Sequence, residues 1–346
     1  MKKLLYTTAI AGLAMTYATV SSAETKVSGN LGLSYYLSSD DQPTVASRTS
    51  LNGFGRETQI NISNSGDLNN GMKYAAGFSF EFDGADSQSA GTQGQSGENV
   101  YIDITSGNTT LSIGADHFQN TDTHLTNLVG FGYIGADGAS NDVQSIYPEG
   151  QATNYGAYGV GILQKTALGN FGINFTPNNT SALATNDIAN TLIKSQVETT
   201  AKSATEINFR GSLGVEGLDV LAGHKSQKQS NALTRDLDGE RVAAKYSTGA
   251  FTVAFDYISA EDGTNKTQGT SVGIAYSISD KLSVAFTRAN ADTSAASTVD
   301  EETDMIAIGY NLGPVSLQAQ YKDVENLGGT STIDGSLLGI YLGTKF

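Results

Sequence analysis

The 346-residue sequence has no cysteine, no tryptophan and only four prolines. Without cysteine there are no disulfides, no thiolate metal sites, no cysteine nucleophile and no lipidated N-terminal cysteine. Basic residues are scarce, 20 Lys and Arg against 35 Asp and Glu. That balance excludes nucleic acid as a partner, because phosphate binding needs clustered lysine and arginine. No run approaches the roughly 20 apolar residues that a spanning helix needs, so a helical membrane protein is excluded. Oil is also short. Hydrophobic residues make up 38% of the chain and glycine reaches 40 residues, whereas a soluble domain of this length is usually nearer half apolar. Either the chain is largely surface, or its oil is not needed for an interior.

The opening MKKLLYTTAIAGLAMTYATVSSAET has two lysines, an apolar stretch from Leu4 to about Met15 and a small-residue site at Ser21-Ser22-Ala23. It reads as a secretory signal peptide over 1–23, with Glu24 the first mature residue of a domain running 24–346. Loss of Lys2 and Lys3 leaves 18 basic against 35 acidic residues, a formal charge of −17.

What the chain does have is alternation. In MKYAAGFSFEFD (72–83), Met72, Tyr74, Ala76, Phe78, Phe80 and Phe82 share one face of an extended strand. Lys73, Ala75, Gly77, Ser79, Glu81 and Asp83 share the other. Sixteen segments with this period start near residues 26, 56, 72, 98, 110, 154, 170, 205, 218, 240, 250, 270, 281, 303, 314 and 334. In 154–165 and 218–226 the alternation is too weak to fix a face. The connections alternate between tight turns such as GDLNNG, SGNT, STGA and LGP, and long polar loops such as DGADSQSAGTQGQSG. An even number of segments of about ten residues, with short turns at one rim and long loops at the other, is the pattern of a transmembrane antiparallel β-barrel, an all-β up-and-down meander. A Lys or Arg facing lipid at the midplane costs about 2–4 kcal/mol. The apolar parities contain none in mid-strand, while Lys73, Arg210, Arg241, Lys245 and Lys322 fall on the polar parity.

The stretches FGRETQINISNSGDLNNGMKYAAGFSFEFD (54–83) and ENVYIDITSGNTTLSIGADH (98–117) resemble the second to fifth strands of Gram-negative general porins. The last residue, Phe346, resembles the aromatic end by which the outer-membrane assembly machinery recognises such strands. Thr344 departs from the hydrophobic residue that this family often keeps two places earlier, and the missing tryptophan leaves the interfacial girdles to Tyr and Phe. The resemblance implies a 16-stranded barrel in the outer membrane of a Gram-negative bacterium, a homotrimer whose first five strands and 83–97 loop form the subunit contacts. It also implies a third loop, here 116–153, folded into the lumen as a constriction.

That loop carries Asp116, Asp122, Asp137, Asp142 and Glu149 and no lysine or arginine. In the family such acids face basic residues on the barrel wall, for which Arg56, Lys73, Arg210 and Arg241 are the candidates; Arg56 shares its parity with Thr58, Ile60 and Ile62. The resemblance implies a passive diffusion channel for small hydrophilic solutes and ions, and five acids against four bases, in a strongly negative chain, point to mild cation selectivity.

Acidic clusters holding Asp236, Asp238, Asp300, Glu301, Glu302 and Asp304 offer oxygen ligands for Ca²⁺ or Mg²⁺, without the spacing of a calcium loop. The plainer reading is solvated loops facing lipopolysaccharide, and no cofactor is expected. A substrate-specific porin, a non-conducting adhesive barrel and an outer-membrane hydrolase are the alternatives. The last would draw on His117 and His124 near Asp116 and Asp122, but no G-x-S-x-G elbow accompanies them, so an enzyme is not expected.

Overall fold

The computed structural model describes residues 23–40, 52–81, 84–85, 96–115, 117, 125–129, 158–176, 201–229, 237–262, 265–291, 299–326 and 334–346. Residues 1–22 of the expected signal peptide (1–23) and most of the long loops lie outside these residues. The strands are β1 (Glu24–Asp40), β2 (Asn52–Asp67), β3 (Lys73–Glu81), β4 (Gly84–Ala85), β5 (Ser96–Ser106) and β6 (Thr109–Ala115). Then come β7 (Tyr158–Lys165), β8 (Asn170–Thr176), β9 (Ala201–Gly211), β10 (Leu218–Gln229), β11 (Leu237–Thr248) and β12 (Phe251–Asp262). The last are β13 (Asn265–Ser277), β14 (Leu282–Ala291), β15 (Glu301–Asn311), β16 (Val315–Glu325) and β17 (Gly335–Lys345).

The short β4 continues β3, since Arg56 pairs with Gly84 in the same register that pairs Gln59 with Glu81. Sixteen staves therefore form one antiparallel sheet, each joined to its chain neighbour. The sheet closes where β1 meets β17, from Asn30 opposite Lys345 to Asp40 opposite Gly335. Closure leaves no edge strand, so backbone groups at membrane depth are paired around the circle. Among the described residues no helix is long and apolar enough to cross a membrane; the strands do the crossing.

The tight turns lie where the sequence places them. Thr248 pairs with Phe251, which leaves Gly249 and Ala250 as a two-residue loop, and Gly249 adopts φ 57°. A positive φ at the first loop residue matches the strand twist and suits glycine.

The faces are inverted relative to a soluble protein. On β13, Val272, Ile274 and Tyr276 are exposed while Ser271 and Ala275 are buried. On β3, Phe78 and Phe80 are exposed and Ser79 is buried. Large apolar side chains exposed on every stave but β10 make a surface far greater than a water-facing monomer shows, and here it is the lipid face. The polar parity of MKYAAGFSFEFD thus faces the lumen; Phe82 and Asp83 lie outside the described residues.

The two weakly alternating segments form β7 and β10. In β7, Val160 and Ile162 face out. In β10 the pattern is blurred because Leu221 points inward and is fully buried. What covers it leads to the lumen.

Candidate functional site

The connection after β6 turns back into the barrel at once. Register places Gly114 opposite Tyr101 and Ala115 opposite Val100, so a straight continuation would climb away from Asp103. Instead His117 Nε2 lies 3.1 and 3.2 Å from the two carboxylate oxygens of Asp103. The His117 ring stacks on Tyr101 with centroids 4.1 Å apart and planes 2° from parallel.

Tyr101 has room to lie flat because the wall beneath it is glycine. A Cβ at Gly77 would sit 2.8 Å from the Tyr101 ring, and one at Gly114 would sit 2.5 Å from the Val100 carbonyl oxygen. Gly114→Val is therefore expected to push the strand and the ring apart, at about 1–3 kcal/mol. A lower temperature at which the barrel loses its heat-modifiable mobility on gels would record this.

Residues 125–129 of the same loop lie against the far wall, across the lumen from His117. Leu125 packs on Leu221 of β10 and Ala243 of β11. Val129, with Leu128 beside it, packs on Ala275, Ala285 and Ala307 of β13, β14 and β15. Thr126 Oγ1 is 2.8 Å from Ser271 Oγ, and Thr287 Oγ1 donates to the Thr126 carbonyl at 3.2 Å. The small side chains of these inward positions form a shelf on which the loop rests. The loop thus leaves one wall at His117 and rests on the other by Leu125, with seven residues between.

The five loop acids, Asp116, Asp122, Asp137, Asp142 and Glu149, and His124 lie outside the described residues. Each of the three basic candidates whose side chain is described has an acidic neighbour. Lys73 stands at the short-turn rim, 3.9 Å from Asp67, and is largely exposed. Arg210 lies near the same rim, 3.1 Å from Asp219, which is also 3.8 Å from Lys245. Arg241 is buried, 1% exposed, against Asp256 at 0%. Its Nε donates to Oδ1 at 3.0 Å while Nη2 donates to Oδ2, a bidentate fork. The position of Arg56 is in register with Leu33 on β1, whose side chain is exposed.

Asp256, Asp103, Tyr101 and the Thr126–Ser271–Thr287 hydroxyls were not among the sequence candidates. Beside the Arg241–Asp256 pair, Lys225 and Glu206 are also buried and directly opposed across β9 and β10. Positions 206, 225, 241 and 256 thus carry two acids and two bases on neighbouring strands, so this part of the wall is charge-balanced. Between the rims, the described lumen-facing positions of β2, β3, β5, β6 and β8 carry no lysine or arginine. They present Gln59, Asn61, Ser63, Ser79, Thr110, Ser112 and Asn174, with acids at Glu81 and Asp103.

Of the acidic candidates for Ca²⁺ or Mg²⁺, Asp236 lies outside the described residues, and Asp238 and Asp300 are exposed. Glu301 is buried on the inward side. On the outer wall, Arg288 is 2.6 Å from Glu302 and 3.8 Å from Asp304. Among the described residues no group of three His, Asp or Glu side chains is placed to hold a metal ion.

Residues 7–330 match the Gram-negative porin family. Among solved structures, an anion-selective porin from Comamonas acidovorans superposes with a TM-score of 0.69 at 12% identity, over 94% of this chain and 100% of that one. Salmonella typhi OmpF, in complex with daunomycin, superposes with a TM-score of 0.66 at 10% identity, over 93% and 97%. A mutant of Rh. blastica porin gives 0.62 at 15% identity, over 93% and 100%. At these identities the likeness is one of fold. No curated protein matches the sequence.

Proposed function

Because the chain belongs to the Gram-negative porin family, whose outer-membrane barrels are channels for small solutes and not enzymes, we propose that it is a passive diffusion pore with mild cation selectivity. The observation that carries the reading is the crossing of the lumen between His117 on Asp103 and Leu125 on Leu221. It narrows the pore without a sealed plug of regular structure among the described residues. Selectivity follows from the wall. The basic candidates with described side chains sit beside carboxylates, so their fields are largely cancelled, while the described lumen-facing positions of β2, β3, β5, β6 and β8 add Glu81 and Asp103 and no lysine or arginine between the rims. The 116–153 sequence adds five more acids and no base, and a negative potential between low-dielectric walls concentrates cations.

The test is the reversal potential of the reconstituted channel under a KCl gradient. Its sign is expected to report potassium passing more readily than chloride. A reversal favouring chloride, as in an anion-selective porin, would overturn the selectivity and leave the channel intact.

The same reading takes the functional unit as a homotrimer in contact with lipopolysaccharide. It takes Phe346 as the mark read by the assembly machinery. In the closed barrel Phe346 is tied to β1 through Gly29, donating to its carbonyl at 3.0 Å and accepting from its amide at 2.9 Å. Crosslinking of the purified protein in detergent, with trimers expected, tests the oligomer.

A further inference from the structure

We propose that Thr126 is a positioning residue that fixes the docked half of the constriction loop through an uncharged latch. The proposal rests on the channel reading above and adds what holds the channel's geometry. Thr126 is buried, and its side chain and its carbonyl are engaged by different strands, Ser271 of β13 and Thr287 of β14. Leu125 and Val129 on either side are buried against the shelf. The fit is close. A Cβ added at Gly273 would lie 3.0 Å from Leu128 Cδ1 and 3.3 Å from the Thr126 carbonyl oxygen.

Every one of these contacts is neutral. Hydroxyls do not titrate where carboxylates, histidine and lysine do, and salt screens charges but not hydroxyl pairs. The other described hold on the loop, His117 against Asp103, is ionisable. The docked end of the crossing is therefore held without charge. Changes of current with salt or acidity arise from charges in the pore, while the far end of the loop stays in place.

The absence of native cysteine makes the test clean. In the folded, reconstituted protein, Thr126→Cys with Ser271→Cys is expected to form a disulfide on oxidation, read as a mobility shift on a non-reducing gel. The oxidised channel is expected to keep the conductance of its reduced form. Failure of the pair to link in the folded barrel, or a large change of conductance on linking, would overturn the latch.

The second arm is Thr126→Val with Thr287→Val, which removes the Thr126 hydroxyl from Ser271 and the Thr287 hydroxyl from the Thr126 carbonyl. Loss of two neutral hydrogen bonds is expected to increase time spent away from the main conductance level by about tenfold, with Thr126→Ser alone behaving as wild type. Heat-modifiability should stay unchanged, because the barrel wall is intact. Currents identical to wild type in the double variant would count against the proposal. Disulfide formation is read without current, so a barrel that links but conducts nothing refutes the channel reading and leaves the latch standing.

Discussion

Asp256→Asn is expected to destabilise the folded barrel by about 3–5 kcal/mol, because it takes the bidentate carboxylate from a guanidinium that cannot reach bulk water. Arg241 is 1% exposed and Asp256 0%. Arginine does not lose its proton at any relevant pH, so the charge cannot relax by neutralising. An asparagine at 256 offers one acceptor where two charged oxygens stood. The result to look for is a large fall in the urea midpoint of unfolding in lipid vesicles, with the slope unchanged. Arg241→Met combined with Asp256→Leu separates the cost of removing one partner from the worth of the pair. Removing both charges is expected to restore most of the stability, as replacements of whole buried pairs generally do. A single variant as stable as wild type would mean that water or another group reaches Arg241 freely.

That pair was within reach of the sequence. The turn STGA fixes Thr248 opposite Phe251. Counting back along both strands brings Ala243 opposite Asp256 and Arg241 opposite Ile258, so the acid is the diagonal neighbour of the base on the same face. Register follows from a two-residue turn wherever one face is buried. The strands themselves were legible for the same reason, since each expected segment start falls within five residues of an observed strand start. The alternation begins three to five residues inside β2, β9, β11 and β13, because these strands run past the lipid band into polar residues. Alternation ends where the membrane does, and pairing does not.

The constriction was legible only as a long loop with acids. Its docking site was hidden because it breaks the barrel's own rule. Where the loop rests, inward positions must be small or apolar, so Leu221, Ala243, Ala275, Ala285 and Ala307 interrupt the polar parity. The blur at 218–226 was the loop's footprint, a buried interface inside a water-filled pore. Nothing local marks Thr126 for Ser271, 145 residues away. The His117–Asp103 contact was equally unreadable, because it depends on the chain turning back over Tyr101 instead of continuing β6. Of the basic candidates, Arg210 and Arg241 were placed on the lumen face by parity alone, and parity cannot say which carboxylate lies across the next strand.

Ile274→Lys is expected to cost about 2–4 kcal/mol, the second large effect, and its sign tests the inversion of the barrel directly. Ile274 is exposed, between Val272 and Tyr276 on β13. In a water-facing protein, lysine at so exposed a position would be close to neutral, because surface substitutions usually change stability by about 0.5 kcal/mol or less. In a bilayer the ammonium must either sit in hydrocarbon or bend towards a headgroup. The paired control is Ser63→Lys on the lumen parity of β2, where water is the solvent and the cost is expected to be small. Folding into vesicles under urea should separate the two variants clearly, while detergent micelles, which wet the barrel wall, should narrow the gap. Equal effects at the two sites in vesicles would mean that the exposed apolar face does not meet lipid. A large penalty at 274 alone would establish that the polar side of each strand is the inside.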